Sequence, residues 1–194
     1  MELYWNLVDI ISPFEKACVT IGNFDGVHLG HQQLFAEVVS KAKETEGCSV
    51  VVTFDPHPLR VLRPDGILLI STIAQKIEQI DKAGIDNLVI IPFDRSFAST
   101  TAEQFVQEIL LDTIGMTELV VGYDYAFGKG RSGDTAFLRE QGRKRNFPVT
   151  VVEAFYKNKM LVSSTQIRKL VCEGRMMDAR SLLGRPYQIR GVVQ

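Results

Sequence analysis

Thr20-Ile21-Gly22-Asn23-Phe24-Asp25-Gly26-Val27-His28-Leu29-Gly30-His31 is the stretch on which the reading of this chain turns. Ala17 to Gly22 reads as a buried strand, and about His31 to Thr45 as a helix. The two histidines therefore stand where a strand turns into a helix. Free backbone N–H groups at a helix N-terminus favour anions. Imidazole N–H groups at the same place add donors that can follow a phosphate through a reaction. Gly26 and Gly30 are expected to let backbone and ligand approach closely, with no Cβ in the way. The arrangement suits a nucleotide triphosphate. A metal site is not indicated, because no third ligand is near and the HExxH spacing is absent. Taken alone, the histidine pair reads equally well as capping and packing.

Outward from this turn, strands and helices alternate. Val50–Phe54, Leu88–Ile91, Leu119–Val121 and Val149–Val152 read as further buried strands. Ile73, Ile77 and Ile80 have helical spacing behind a Thr72/Gln75 capping box. Ala102, Phe105, Val106, Ile109 and Leu110 form one apolar helical face, with Thr100 and Glu103 read as a second box. A glycine-rich loop spans Gly122 to Gly133, and a helix with Phe137 and Leu138 inward follows. Two short helices close the chain, around Ser164–Cys172 and Met176–Leu183. Such alternation implies an α/β fold: a doubly wound parallel sheet with right-handed crossovers, with a small appended subdomain. Ligands then bind beyond the carboxyl ends of the strands, at the switch point. The candidate chemistry falls at such ends: His28 and His31, then Asp55-Pro56-His57-Pro58, then Asp124.

The chain has 194 residues and a formal net charge of -1, room for one α/β domain with a real core. Nothing in that balance suggests a nucleic-acid or membrane partner. The basic cluster Arg143-Lys144-Arg145 reads as a solvated helix face. No apolar run approaches membrane-span length, and Met1-Glu2-Leu3-Tyr4-Trp5 lacks signal-peptide character. Cys18, Cys48 and Cys172 form no CxxC; the first two adjoin apolar strands and read as buried thiols. A cytoplasmic protein is expected.

Two common nucleotide motifs are excluded. Gly22, Gly26 and Gly30 are not spaced as GxGxxG, and Gly128-Lys129 is followed by Gly130, so there is no Walker A loop. A second phosphate candidate is Ser163-Ser164-Thr165-Gln166-Ile167-Arg168. Its hydroxyls can cap a helix and donate to phosphate oxygens, and Arg168, one turn in, can reach the same anion.

These stretches together resemble a known family. His28-Leu29-Gly30-His31 resembles the HxGH signature of the nucleotidylyltransferase superfamily, whose fold is Rossmann-like. Ser163–Arg168 resembles its SSTxxR motif. Gly22–His31 is similar to one branch, the bacterial FAD synthetases, in which an FMN adenylyltransferase module usually precedes a riboflavin kinase module. Thr53–Pro58 resembles that branch's TF(D/E)PHP and Val121–Gly128 its VGxDFxFG, with Tyr125 where Phe is usual.

The resemblance implies transfer of AMP from ATP to FMN, giving FAD and pyrophosphate, with Mg²⁺ bridging ATP phosphates and few protein ligands. It implies catalytic work for His28 and His31 from one side, and for Ser164, Thr165 and Arg168 from the other. Gly22, Asn23, Phe24, Asp25, Gly26, Gly30 and Ser163 fall to ATP, with Asn23 and Asp25 positioning ribose or phosphate. Phe54, Pro56, His57, Pro58, Asp124, Tyr125 and Phe127 fall to the flavin, His57 reading also as a hinge or cap between prolines. An isoalloxazine ring needs a flat apolar slot with a few polar groups at its edge. Residues 1–186 are expected to form this module. Residues 187–194, Tyr187 to Gln194, resemble a linker and the opening strand of a riboflavin kinase module, without its PTxN motif, so no kinase activity is expected. Two readings stay open beside this one: another nucleotidylyltransferase, acting on pantetheine phosphate, nicotinamide mononucleotide or a polyol phosphate, and a non-catalytic flavin- or nucleotide-binding regulator.

Overall fold

Period-two alternation within apolar runs builds a sheet that is buried on both faces. The computed structural model describes residues 1–63 and 65–191. Strands β1 (Glu2–Tyr4), β2 (Ala17–Ile21), β3 (Cys48–Asp55), β4 (Asn87–Pro92), β5 (Met116–Gly122) and β6 (Val149–Val152) form one parallel sheet in the order β1-β4-β3-β2-β5-β6. Val19, Val50, Val52, Val89, Leu119 and Val121 point into one core layer. Their neighbours Cys18, Val51, Leu88, Ile90 and Val120 point into the other.

Helix α1 (Leu29–Glu44) covers the second face with Leu34, Phe35, Val38 and Ala42. After the short α2 (Pro58–Leu62), helix α3 (Ile73–Lys82) joins it through Ile80, opened by the expected Thr72/Gln75 box. The first face is covered by α4 (Ala102–Gln104), a π-helical continuation over Phe105–Thr113, and α5 (Thr135–Arg145). Beyond the sheet, a hairpin of β7 (Tyr156–Lys157) and β8 (Met160–Leu161) leads into α6 (Ser164–Cys172) and α7 (Met176–Leu183). Those helices share a small core of their own, with Val162, Ile167, Leu170, Ala179 and Leu182. The α/β doubly wound expectation holds, and so does the appended subdomain.

Four details differ from the sequence reading. The sheet has an additional edge strand, β1, whose three residues are too few to show a period. The box at α4 is Thr101/Gln104, not Thr100/Glu103. Both pairs fit the spacing, but Thr100 ends the preceding turn and its carbonyl accepts from the Lys129 N–H. The hairpin β7–β8 is too short to carry a pattern. Cys48 is only half-buried, at the start of its strand. In the stretch resembling the start of a kinase module, Tyr187–Gly191 carry no regular secondary structure, and Val192, Val193 and Gln194 lie outside the described residues.

The strand order turns back beside β2, whose neighbours are β3 and β5. A crevice at the carboxyl ends is the topological consequence. Phe35 ties α1 to that crevice. It is fully buried and its ring meets Phe24 edge-on at 4.9 Å. Phe35→Ala should cost about 3–5 kcal/mol, read as a lowered urea midpoint. A midpoint unchanged from the parent would mean that this contact does not hold the helix to the loop.

Candidate active site

One cavity of about 720 Å³ opens at the carboxyl ends of the strands. Four segments expected from the sequence meet there. Gly22, Asn23, Phe24, Asp25, His28, Gly30 and His31 come from the β2–α1 turn. Phe54 comes from the end of β3, His57 and Pro58 follow it, and Asp124, Tyr125 and Phe127 follow β5. Ser163, Ser164, Thr165 and Arg168 close it from the start of α6. Two expected residues, Gly26 and Pro56, are not among its lining.

The β2–α1 turn is held in a conformation its residues do not choose alone. Phe24 and Val27 have φ of 47° and 40°, unusual for side chains with a Cβ and most of all for β-branched valine. Contacts from far along the chain hold it there. The Asp25 carboxylate, 2% exposed, accepts from the Ile70 and Ser71 N–H groups, from Ser71 Oγ, and from Arg168 Nη2 at 3.1 Å. Arg185 donates to the carbonyls of Gly26 and Val27. Ser164 Oγ donates to the Asp25 carbonyl at 2.8 Å.

These contacts bear on several expected roles. Asp25 does not present a free carboxylate to ribose or phosphate; its oxygens are taken by protein donors. Gly26 makes room for protein rather than ligand: with φ of 81°, a Cβ there would lie 2.8 Å from Ile70. A Cβ on Gly30 would press on the His28 ring at 3.3 Å. Ser163 is the cap of α6, its Oγ accepting from Gln166 N–H, while Thr165 is exposed at the cavity edge. Asp124 is also exposed, at the rim.

The histidines work as a pair. His28 is the N-cap of α1, with Nδ1 accepting from the His31 N–H at 3.3 Å. That bond assigns the proton of the neutral ring to Nε2, which leaves an N–H donor. The rings stack at 3.5 Å and 19°, and Phe24 meets His31 edge-on at 5.1 Å. Burial pushes His28 down to about 4, with Arg168 and Arg185 adding to it. Burial drives His31 well below the usual histidine range as well. His57, also lowered to about 4 by burial, caps α2 through Nδ1, so its expected capping role is present beside its place on the cavity wall.

At the other end the walls are aromatic. The rings of Tyr125 and Phe127 are nearly parallel, 14° apart with centroids at 5.4 Å. Phe54 packs against Phe93 and Phe97, and Phe105 against Phe127. Phe93, Phe97 and Phe105 also line the cavity; Phe105 reads in the sequence only as part of a helical core face, and the other two are not singled out there. The only signal for Phe93 and Phe97 is proximity to the end of β4, which core phenylalanines share. Arg185 and Lys76 were missed too. Arg185 lies far along the chain from the turn it holds. Lys76 did leave a trace, standing between Ile73 and Ile77 on the inward face of α3. Among the described residues no group of three His, Cys, Asp or Glu side chains is arranged to hold a metal ion.

Acid should loosen this site. His28 is lowered in the folded state, so below about pH 6.5 the unfolded chain takes up a proton that the folded chain refuses. Stability should therefore be flat above about pH 6.5 and fall as pH drops toward about 4. Protonation of Nδ1 would also remove the acceptor that caps α1. The melting temperature measured against pH checks this, with His28→Gln expected to flatten part of the slope. An unchanged slope in that variant would assign the acid sensitivity elsewhere.

A family model described as FAD synthetase matches residues 11–166. A bifunctional riboflavin kinase/FMN adenylyltransferase of Buchnera aphidicola is 40% identical over 100% of this chain and 62% of its own length. A FAD synthetase of Listeria monocytogenes is 35% identical over 92% of this chain and 72% of its own. A solved structure from Streptococcus pneumoniae, described as a macrolide-efflux protein, superposes with a TM-score of 0.84 at 30% identity, over 95% of this chain and 60% of that one. Among the described residues no helix is long and apolar enough to cross a membrane. The chain thus spans about three fifths of the length of the bifunctional relative, and with the family model matched over most of its residues it belongs to the FAD synthetase family.

Proposed function

We propose that this chain is an FMN adenylyltransferase that moves AMP from ATP to FMN. One observation carries the reading: a single cavity joins an aromatic end to a polar end built from two helix N-termini, two neutral histidines and an arginine. A flavin phosphate has an apolar ring at one side and an anion at the other, and ATP brings the second anion. The isoalloxazine lies against Tyr125, Phe127 and Phe54, with Asp124 at the rim. The triphosphate lies between the starts of α1 and α6.

An oxygen of the FMN phosphate attacks the α-phosphorus of ATP. A new P–O bond forms as the bond from that phosphorus to the bridging oxygen breaks, and pyrophosphate leaves with the electron pair. The nucleophile is already an anion, so no protein base is needed. Catalysis then rests on alignment and on donors aimed at developing charge. His28 supplies the Nε2–H, and His31 stacks behind it. Arg168 supplies guanidinium N–H groups not used by Asp25. Bound with ATP, Mg²⁺ would neutralise charge on the triphosphate while taking few protein ligands. We place the protein in the cytoplasm, and the kinase chemistry of the bifunctional relatives in the part of their length that this chain does not span, with residues 1–186 as the adenylyltransferase module.

FMN, ATP and Mg²⁺ should yield FAD and pyrophosphate, and pyrophosphate should drive the reaction backward. Formation of an adenylylated product from pantetheine phosphate or nicotinamide mononucleotide, with none from FMN, would replace the flavin reading. Binding of both substrates without turnover would favour a regulator.

His31→Ala should lower kcat by roughly 10²–10³ with a smaller effect on FMN affinity. A folded variant turning over within a few-fold of the parent would remove the histidine from the chemistry.

A further inference from the structure

Lys76 is a buried cation that the reaction scheme above does not use. It lies in the first turn and a half of α3, 5% exposed, behind the β2–α1 turn rather than on the cavity wall. Its Nζ donates to Thr53 Oγ1 at 3.3 Å, and that hydroxyl donates to the Asn23 carbonyl at 3.3 Å. None of the ion pairs among the described residues includes it. A buried ammonium without a carboxylate partner is costly, and burial alone would push it toward the neutral form. The charges of Asp25 and Asp55 favour the charged form and offset that push only in part. Asp25 is already matched by Arg168. One positive charge is therefore left behind the turn, near enough to help keep His31 and His57 below the usual histidine range.

We propose that Lys76 is a positioning residue for anionic substrate: a cation held beneath the β2–α1 turn, in a place too dry for water to screen it, whose charge is matched only when phosphate groups occupy the cavity. This rests on the phosphate reading of the polar end. It acts at a distance through the low-dielectric interior, and by the hydrogen-bonded path through Thr53 to Asn23. A lysine kept only for packing would serve equally well as its hydrophobic isostere. The physical consequence is a trade between stability and affinity. Removing an unpaired buried charge should not weaken the fold, and should weaken binding of anions alone.

The test compares the parent chain with Lys76→Met, Lys76→Gln and Lys76→Arg. Urea unfolding measures stability, and calorimetry measures binding of pyrophosphate, ATP, adenosine, FMN and riboflavin. The neutral variants are expected to be at least as resistant to urea as the parent. Their affinity for pyrophosphate and ATP should fall roughly tenfold or more, with adenosine and riboflavin unchanged. Lys76→Arg, which keeps the charge, should recover most of the loss. If Lys76→Met does not fold, the same comparison of charged and uncharged ligands is made on Lys76→Gln. Equal weakening of adenosine and ATP, or pyrophosphate binding within twofold of the parent in a folded neutral variant, would overturn the assignment. Absence of FAD formation by the parent would instead overturn the proposed reaction, and the pyrophosphate titration would still decide the role of Lys76.

Discussion

The Asp25 carboxylate is the tie on which the site depends. It lies in a turn whose backbone takes left-handed angles at Phe24, Gly26 and Val27. It gathers N–H and O–H donors from Ile70 and Ser71 before α3, and a guanidinium from α6. Three segments far apart in the chain are thereby fixed around one pair of oxygens. Such a buried ion pair adds little net stability over an apolar packing of the same volume, because both charges leave water. Its value here is geometric. It sets the distance between the starts of α1 and α6, and with it the width of the anion end of the cavity. Arg185 and Gln32 hold the same turn from its carbonyl side.

Around that tie, the charges follow a consistent logic. Desolvation holds both histidines below the usual histidine range, so in the proposed reaction they donate as neutral rings, without the cost of burying further cations. The fixed positive charge comes from arginine and lysine, with Arg168 at the wall and Lys76 behind it. Donors in place before substrate arrives need little reorganisation during reaction, which is what the proposed transfer at phosphorus asks of them. The aromatic end has the opposite character, with packed rings and few polar atoms. One cavity can thus orient a molecule that is apolar at one end and doubly charged at the other.

Much of this was legible in the residues. Short apolar runs located five of the six sheet strands, and their alternation with helices implied parallel strands and a crevice at their carboxyl ends. The Thr72/Gln75 box and the paired HxGH and SSTxxR stretches were local patterns with local meanings. Where two local solutions were equally good, as at Thr100 and Thr101, sequence could not choose. The choice fell to the Lys129 N–H, which engages Thr100 from a distant loop. Three-residue β1 and the hairpin β7–β8 are shorter than any period that could reveal them.

By itself the sequence determined the layer architecture, the end of the sheet where chemistry gathers, and the residue types available there. Periodicity and capping are properties of neighbours along the chain, so the chain states them directly. Only the tertiary structure decided the use of each group. It turned Asp25 from a substrate contact into a clamp, made Gly26 room for Ile70, and gave the Nδ1 of His28 to the cap of α1. It also brought Arg185 and Lys76 to a turn from which they are 158 and 53 positions removed, counted from Val27 and from Asn23. A buried polar group must find a partner, and which partner it finds depends on what the packed elements carry past it. That proximity exists only after the sheet has closed.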